Sequence, residues 1–189
     1  PASFASLTTR GAIARARAMI YRPATLADAP ALAALGAETF IAAFGHLYTE
    51  ADLTAFLAQV HSPGPVAEEI AGDECTHCLA EDENGTLVAY CKLRYPSHYT
   101  HLSDARDPLE LGQLYALPTH TGAGIGAQLM DWALGVARER GHDAVLLSVY
   151  SENFGAQRFY QRYGFGKIAD ITFPVGEQLD EEFLYELKL

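Results

Sequence analysis

Residues Leu109 to Arg140 read LELGQLYALPTHTGAGIGAQLMDWALGVARER. An apolar strand-like run comes first, a short connection containing proline follows, and three alternate glycines lead into a segment whose apolar residues recur at helical spacing. Glycines let the main chain approach a ligand closely, and the unpaired N–H groups of a first helical turn point outwards beside the positive end of the helix dipole. The stretch therefore predicts a phosphate or pyrophosphate site at the start of a helix.

Length and composition limit the class of protein. The chain has 189 residues, 49% of them hydrophobic, which suits one domain with a substantial core. We expect residues 19–189 to form that domain. Residues 1–18, rich in arginine and hydroxyl side chains, are expected to be a disordered extension, a transit segment or a cloning remnant. A net charge of −11 argues against a nucleic-acid partner and weakly favours cationic substrates, and no membrane span is predicted.

The three cysteines indicate a reducing compartment. Their odd number favours free thiols over a disulfide framework, so we expect a cytoplasmic protein. Cys75 and Cys78 form C-x-x-C around His77, but zinc would need two further ligands, and Cys91 stands alone. Because the segment ECTHCLAE has the pattern of a strand, its cysteines are predicted to pack as small apolar residues, and no metal is expected.

The N-terminal half begins with one strand and two helices. The strand is predicted over 19–22 and the first helix over 25–44, with Thr25 and Asp28 at the spacing of a capping box. A second helix is predicted to start near Thr49, and the segment VAEEIAG adds a further turn or two.

A hairpin and a loop follow these helices. Asn84-Gly85 joins strand-like runs over 74–82 and 86–95, which predicts an antiparallel pair. The loop after it carries His98 and His101, which are candidates to contact a substrate or a metal, although solvated histidines are the simpler interpretation.

The strand before the glycines changes phase. The apolar residues of 109–111 and of 114–116 fall on opposite phases of the pleat, with Gly112 and Gln113 between them. A slip of one residue beside a glycine predicts a β-bulge, which re-aims main-chain groups at a site.

The remaining elements complete a crossover unit and a second helix. The nearly continuous apolar run 143–150 predicts a strand buried on both faces and parallel to its neighbour. A helix is predicted over 152–163, and two strands over 166–175 and 181–189 with a loop between them.

The glycines alone also fit a dinucleotide fingerprint. Gly122 to Ala127 satisfies G-x-G-x-x-A, but a Rossmann unit needs an acidic residue at the end of the next strand, and Asp143 stands at its beginning. The motif also falls past the middle of a chain too short for the remaining strands of a doubly wound sheet. A P-loop does not fit, because no Gly-Lys-Ser/Thr follows.

A second motif points to another ligand. The connection THTGAGIG, followed by NFGAQRFYQRYGF, resembles the GNAT family of acyl-CoA N-acyltransferases. The family's Q/R-x-x-G-x-G/A is matched from Thr121 to Gly126, and N-x-x-A-x-x-F-Y-x-x-x-G-F is matched from Asn153 to Phe165. The resemblance covers roughly residues 19–189. It implies an α/β (α+β) fold: a mixed, mostly antiparallel sheet of about seven strands with a central parallel pair, flanked by about four helices.

The resemblance also implies a site for acetyl-CoA. Thr121 departs from the usual Gln or Arg, so we expect weaker affinity but not loss of function, since main-chain N–H groups supply most of the phosphate binding. Asn153 resembles the residue that hydrogen-bonds the pantetheine arm. The coenzyme-binding positions implied by the resemblance are Leu114, Tyr115, Ala116, Thr121, Gly122, Ala123, Gly124, Ile125, Gly126 and Asn153.

Two residues match catalytic positions of the family. Tyr160 is expected to protonate the leaving thiolate, and Glu110, on the bulged strand, is a candidate general base acting through water, with an exposed structural carboxylate as the equal alternative. Another base position of the family is Ser148 here, which cannot serve.

The implied function is direct transfer of an acetyl group from acetyl-CoA to a primary amine. The termini loosely resemble a polyamine-acetylating branch, and cationic substrates suit the acidic chain, but protein N-termini, amino sugars and amino acids stay open. An inactive coenzyme A-binding sensor or interaction module is the main alternative, and a dinucleotide-binding oxidoreductase a weaker one. No nucleic-acid or membrane partner is expected, and a homodimer is left open.

Overall fold

The computed structural model describes residues 19–189, so the expectation for residues 1–18 lies outside the described residues. One seven-stranded sheet runs through this part of the chain in the order β1-β2-β3-β4-β5-β7-β6. All neighbouring strands are antiparallel except β4 and β5, which are parallel. The expected fold class is therefore confirmed. The strands are β1 (Ile20–Pro23), β2 (Cys75–Glu81), β3 (Leu87–Arg94), β4 (Pro108–Ala116), β5 (Ala144–Tyr150), β6 (Gly166–Val175) and β7 (Gln178–Lys188).

Five α-helices flank the sheet in the described residues. They are α1 (Ala29–Phe44), α2 (Glu50–Val60), α3 (Pro63–Ala71), α4 (Ile125–Glu139) and α5 (Phe154–Arg162). The number exceeds the approximate count expected because Pro63 begins a separate helix of 9 residues, where only a further turn or two was predicted.

Local capping explains where the early helices start. Asp28 accepts from the main-chain N–H of Thr25 at 2.7 Å, which completes the predicted capping box ahead of α1. Thr49 caps α2, because its hydroxyl accepts from the N–H of Asp52 at 3.2 Å. Both starts were visible in the sequence.

The helices cover the two faces of the sheet. Alternate residues of the central strands pack with the buried face of α4, including Leu109 and Leu147. The opposite face carries α1 and α3, which bury Leu79 and Tyr90, while α1 and α2 enclose a smaller cluster around Phe40. By length and a mean hydropathy of 1.3, the stretch Leu26–Leu47 could cross a membrane, which the sequence analysis did not anticipate. The buried side chains of α1, however, pack against this sheet, which is the arrangement of a core helix.

The predicted bulge is confirmed at Gly112. Lys92 of β3 pairs with Gln113, and the next residue, Leu93, pairs with Leu111, so Gly112 has no partner on β3. Leu114 consequently packs against the same core as Leu111 despite the change of phase. The parallel pairing of β4 with β5 stops at the bulge, since Glu110 opposite Leu146 is its last pair. Beyond that point the two strands separate.

The last hairpin is tighter than predicted. β7 starts at Gln178, three residues earlier than expected, and only Gly176 and Glu177 separate it from β6. Gly176 adopts a φ of 60°, which L residues rarely take, and the main-chain N–H of Glu177 donates to Asp52 at 2.9 Å. The turn depends on this contact with α2, so a local sequence pattern could not reveal it.

Candidate active site

A cavity of about 790 Å³ opens where β4 and β5 separate. Leu111 to Ala116 line one side of it, and Ser148 to Tyr150 line the other. The start of α4 and one face of α5 close one end, and aromatic residues of α1 and α2 close the opposite end. The bulge at Gly112 therefore creates the opening, because it ends the pairing that would otherwise close the sheet.

The glycine turn presents unpaired main-chain amides at the first end. Gly122 and Gly124 have φ values of 78° and 82°, and no heavy atom lies within 4 Å of a Cβ built on either. Gln128 donates to the carbonyl of Gly124 at 3.2 Å. Within residues 19–189 the structure gives no acceptor to the amides from Gly122 to Ala127. Such a row of free N–H groups at a helix start fits a pyrophosphate.

Only some of the residues predicted to bind the coenzyme at this turn line the cavity. Thr121, Gly122 and Gly126 line the cavity. Ile125 is buried in the core beneath α4, and Ala123 and Gly124 are exposed outside the cavity lining, so only their main-chain groups are placed to face a ligand at the turn. The hydroxyl of Thr121 donates to the carbonyl of Pro118 at 2.9 Å and thus stabilises the turn itself.

The middle of the cavity is formed by β4 and α5. Leu114, Tyr115 and Ala116 all line it. Asn153 caps α5 through its side-chain oxygen, which accepts from the N–H of Ala156 at 3.1 Å, so its amide nitrogen stays available to a ligand.

Tyr160 lines the same part of the cavity from α5. Its ring stacks edge-on against Phe159 and Phe165, with centroids 5.5 and 5.9 Å away. Burial, together with the nearby Tyr115, raises the pKa of the Tyr160 phenol far above its usual range. The phenol is therefore protonated at neutral pH, the state that a proton donor requires.

Glu110 lies beside the bulge with its carboxylate buried. Ser97 donates its hydroxyl to Oε2 of Glu110 at 3.2 Å, and the N–H of His98 donates to the same oxygen at 2.8 Å. The imidazole Nδ1 of His98 lies 3.7 Å from it. Glu110 thus lines the cavity but also holds the loop that follows β3.

Two further carboxylates line the far end of the cavity on β7. Asp180 accepts hydrogen bonds from the hydroxyl of Tyr48 and, at 2.7 Å, from Gln178. Glu182 lies opposite Tyr150 in the β5–β7 pair. Burial, and to a lesser degree the charge of Asp180, raises the pKa of Glu182 to about 7.

Aromatic rings surround these carboxylates. Phe40 of α1 lies 4.5 Å from Phe56 and 5.8 Å from Tyr48, measured between ring centroids. Phe44 meets Tyr150 of β5 edge-on at 6.1 Å. This end of the cavity therefore combines apolar walls with negative charge, a combination that suits an organic cation.

The comparison with known protein families points to the same elements that line the cavity. The model of the acetyltransferase (GNAT) family matches residues 38–165, which include the glycine turn, the bulged strand and α5. The chain belongs to the GNAT acetyltransferase family. The acyl-CoA interpretation of the glycines is thereby favoured over the dinucleotide one.

Individual GNAT relatives match most of the chain. An N-acetyltransferase of Mycobacterium tuberculosis, itself uncharacterized, is 31% identical over 159 residues, which is 84% of this chain and 96% of the relative. The PaiA N-acetyltransferase of Thermoplasma acidophilum, solved with coenzyme A, superimposes with a TM-score of 0.73 at 19% identity, over 91% of this chain and 99% of its own. The yncA protein of Salmonella typhimurium, solved with acetyl-CoA, has a TM-score of 0.63 at 21% identity, over 91% of this chain and 94% of its own.

Some residues of the cavity lining escaped the sequence analysis. They are the phenols of Tyr48 and Tyr99 and the carboxylates of Asp180 and Glu182, all of which line the cavity. The alternation of β7 places Glu182 on the face of Leu184, which was readable, but the pairing of β7 with β5 was not. Of the two loop histidines, His98 lines the cavity and His101 does not.

None of the three cysteines of this GNAT chain lines the cavity. Cys78 and Cys91 are buried cross-strand partners on β2 and β3, and Cys75 is partly buried, with all three thiols free. Residues 19–189 hold no group of three or more His, Cys, Asp or Glu side chains that could bind a metal.

Proposed function

We propose that this GNAT enzyme transfers an acetyl group from acetyl-CoA directly to the primary amine of a small molecule. The observation that carries the proposal is the continuity of one cavity. It runs from the free amides at Gly122, past the phenol of Tyr160, to the aromatic and acidic end around Glu182. A coenzyme binding group, a proton donor and a cation-binding end therefore lie along one path.

Acetyl-CoA, when bound, supplies the activated thioester carbonyl. The amides of the glycine turn would hold its pyrophosphate, and Asn153 and the main chain of Leu114 to Ala116 would hold the pantetheine arm, since β4 has lost its neighbour there. A main-chain N–H of this segment would also polarise the thioester oxygen.

Tyr160 serves as the proton donor to the departing thiolate. Its phenol stays protonated because burial raises its pKa, and it lines the cavity between the glycine turn and the acceptor end. Direct transfer agrees with the lining, since none of the three cysteines reaches the cavity to form a thioester acyl-enzyme.

The acceptor end favours a small cationic amine. Carboxylates at 110, 180 and 182 would attract an ammonium group, and the rings of Phe40 and Phe56 would cover an alkyl or aryl body. Polyamines are the acceptors that we propose first.

Two further features belong to the same proposal. Three free cysteines suit a reducing cytoplasm, where acetyl-CoA is available. The edge strand β6 pairs on one side only and could join a second copy of the chain, which keeps a homodimer among the expectations.

The proposal is tested by thiol release from acetyl-CoA with a panel of amines: spermidine, an arylethylamine, an amino sugar, an amino acid and a peptide N-terminus. Amine-dependent thiol release with spermidine or the arylethylamine supports it. Stabilisation by acetyl-CoA without turnover of any amine would instead indicate the inactive coenzyme-binding module. Stabilisation by NAD but not by acetyl-CoA would overturn the coenzyme assignment.

A further inference from the structure

One buried carboxylate oxygen in the cavity has no partner among the described residues. Oε2 of Glu182 is shielded from solvent, and no hydrogen-bond donor of the described residues reaches it. Burying a carboxylate oxygen without a donor is costly, and a folded protein that retains such a group satisfies it with a water, an ion or a ligand, or uses it in catalysis. Because Glu182 lines the cavity, that ligand is something held within it.

The other carboxylates along the cavity are already engaged. Asp180 is held by Tyr48 and Gln178, and Glu110 by Ser97 and the main chain of His98. Glu69 bonds Lys92 at 2.9 Å and Arg94 at 3.3 Å. Among the cavity carboxylates of residues 19–189, only Glu182 therefore has a buried oxygen without a partner.

The groups facing Glu182 do not compensate its charge. Phenols from four segments of the chain face Glu182. Asp180, on the same strand, adds a second negative charge, and no cation of the described residues contributes to the pKa shift of Glu182. The phenols belong to Tyr48, Tyr99, Tyr115 and Tyr160. Burial and Asp180 raise the pKa of Glu182 to about 7, so this carboxylate exchanges a proton near neutral pH.

We propose that Glu182, and not Glu110, receives the ammonium group of the acceptor and takes the proton that must leave before its nitrogen can attack. The inference rests on the proposed acetyl transfer. It assigns one ammonium group of the acceptor to Glu182, among phenols whose raised pKa values keep them from acting as bases.

The proton movements balance. The ammonium gives one proton to the Glu182 carboxylate, and the freed lone pair attacks the thioester carbonyl carbon. The C–N bond forms, the C–S bond breaks, and the thiolate takes the proton of the Tyr160 phenol. The second proton of the attacking nitrogen restores that phenol, and Glu182 releases its proton to solvent. The net reaction consumes an ammonium and acetyl-CoA and yields an amide, coenzyme A and one proton.

Glu110 has a different role in this arrangement. Its Oε2 accepts from Ser97 and His98 and so fixes the loop that carries Tyr99. Tyr99 packs beside Ser148, and burial raises the pKa of its phenol to about 12. Glu110 is thus a positioning residue for one wall of the acceptor end.

The first experiment compares pH profiles of kcat/KM for Glu182→Gln with wild type, using one amine throughout. Wild type should show an ascending limb near pH 7. Glu182→Gln should lose that limb and fall roughly 100-fold at neutral pH, then recover as pH approaches the amine's own pKa and free amine becomes available. Glu181→Gln is the matched control, because Glu181 is the adjacent, exposed residue of β7.

The second experiment needs no coenzyme and no turnover. Binding of the ammonium group lowers the pKa of Glu182, so Glu182 gives up the proton that it holds in about half of the molecules near pH 7. Titration calorimetry in two buffers of different ionisation enthalpy should therefore show release of up to about half a proton. Glu182→Gln should show none. Because the pKa of Glu182 is raised in the fold, wild type should become less stable as pH rises and Glu182 loses its proton. Between about pH 5 and pH 8 the melting temperature of wild type should therefore fall by roughly 5 °C more than that of Glu182→Gln.

The possible results distinguish failure of the Glu182 assignment from failure of the proposed acetyl transfer. Retention of the neutral limb in Glu182→Gln, or its loss in Glu110→Gln instead, overturns the assignment while acetyl transfer stands. Equal proton release by wild type and Glu182→Gln also overturns it. If wild type releases no thiol with any amine, the proposed function is wrong. The calorimetric and melting measurements on Glu182 need no turnover, so they give a result in either case. Melting of Glu182→Gln at pH 8 at or above the wild-type temperature shows that the variant is folded.

Discussion

Tyr150 of β5 and Glu182 of β7 are directly opposed in an antiparallel pair, so both side chains project from the same face of the sheet. That face is the one covered by α1 and α2, because the intervening residues Val149 and Phe183 belong to the core beneath α4. Cross-strand pairing thus places a carboxylate with a buried oxygen in a cavity lined by aromatic rings of α1 and α2. The proposed acceptor end is a product of strand register.

Replacing Tyr160 tests the proton donor. Tyr160→Phe is expected to lower kcat roughly 100-fold with less than about a threefold change in the Kd of acetyl-CoA, since the phenol acts on the leaving thiolate. Tyr163→Phe is the control, because Tyr163 lies outside the cavity lining, where its hydroxyl donates to the carbonyl of Ala127 at 3.3 Å and lies beside Asp131. Equal losses of turnover and binding in Tyr160→Phe would make the phenol structural. Steady-state kinetics and calorimetry give both values.

Thr121, which stands where the coenzyme motif usually has Gln or Arg, is a position where a substitution should raise the affinity for acetyl-CoA. Thr121→Arg should tighten acetyl-CoA binding about 3- to 10-fold, because a guanidinium at this exposed position would reach the pyrophosphate that the hydroxyl, bonded to Pro118, does not. Thr119→Arg adds the same charge two residues earlier and controls for general attraction of the polyanion. Equal gains in both variants would remove any special role of position 121. Calorimetric titration at two salt concentrations measures the difference.

Two glycines of the same segment should respond in opposite directions to alanine. Gly124→Ala is expected to lose about 1 kcal/mol of stability and to weaken acetyl-CoA binding, because Gly124 has a φ of 82°. Gly135→Ala lies within α4, where no heavy atom is within 4 Å of the added Cβ, and should gain roughly 0.5 to 1 kcal/mol. Urea unfolding measures both. A stabilised Gly124→Ala would contradict the left-handed geometry of the turn.

The ion pair beside the cavity sets part of the pH dependence of stability. Burial disfavours ionisation of Glu69, but the hydrogen bond with His77 and the charge of Lys92 outweigh it and lower its pKa to about 2. Since the pKa is depressed in the fold, this stabilisation is full above the unfolded pKa, near 4.5, and is lost as pH falls through about 2.

Glu69→Gln is therefore expected to cost about 2 to 3 kcal/mol at neutral pH, because it leaves the buried ammonium of Lys92 uncompensated. The cost should be smaller at pH 3, which lies between the unfolded and the folded pKa of Glu69. Glu68→Gln, on the exposed neighbour, should unfold like wild type at both pH values. Urea unfolding at the two pH values provides the comparison. A loss from Glu69→Gln that does not shrink in acid would contradict the electrostatic cause.

Much of this architecture follows from local signals. Asn84-Gly85, the caps at Thr25 and Thr49 and the phase change at Gly112 each act within a few residues, and each could be interpreted from the chain alone. The glycine turn and the Asn153 to Phe165 motif likewise carried the family. Local chemistry thus predicted the coenzyme end of the cavity.

The acceptor end could not be obtained in this way. Tyr48, Tyr99, Asp180 and Glu182 come from three separate segments that meet only in the folded chain. The position of β7 beside β5 brings Asp180 and Glu182 to the cavity. A register shift of one residue would turn Glu182 towards the opposite face. The sequence showed an acidic, aromatic C-terminal strand, but the depth of burial that raises the pKa of Glu182 depends on helices more than 100 residues away.

Acetyl transfer to a small amine is tested most directly by incubating the full chain with acetyl-CoA and spermidine or an arylethylamine and analysing the products by mass spectrometry. We predict equimolar coenzyme A and an amine heavier by one acetyl group, with both products suppressed in Tyr160→Phe. Free coenzyme A without an acetylated amine, or an unchanged mixture despite binding of acetyl-CoA, would contradict the account.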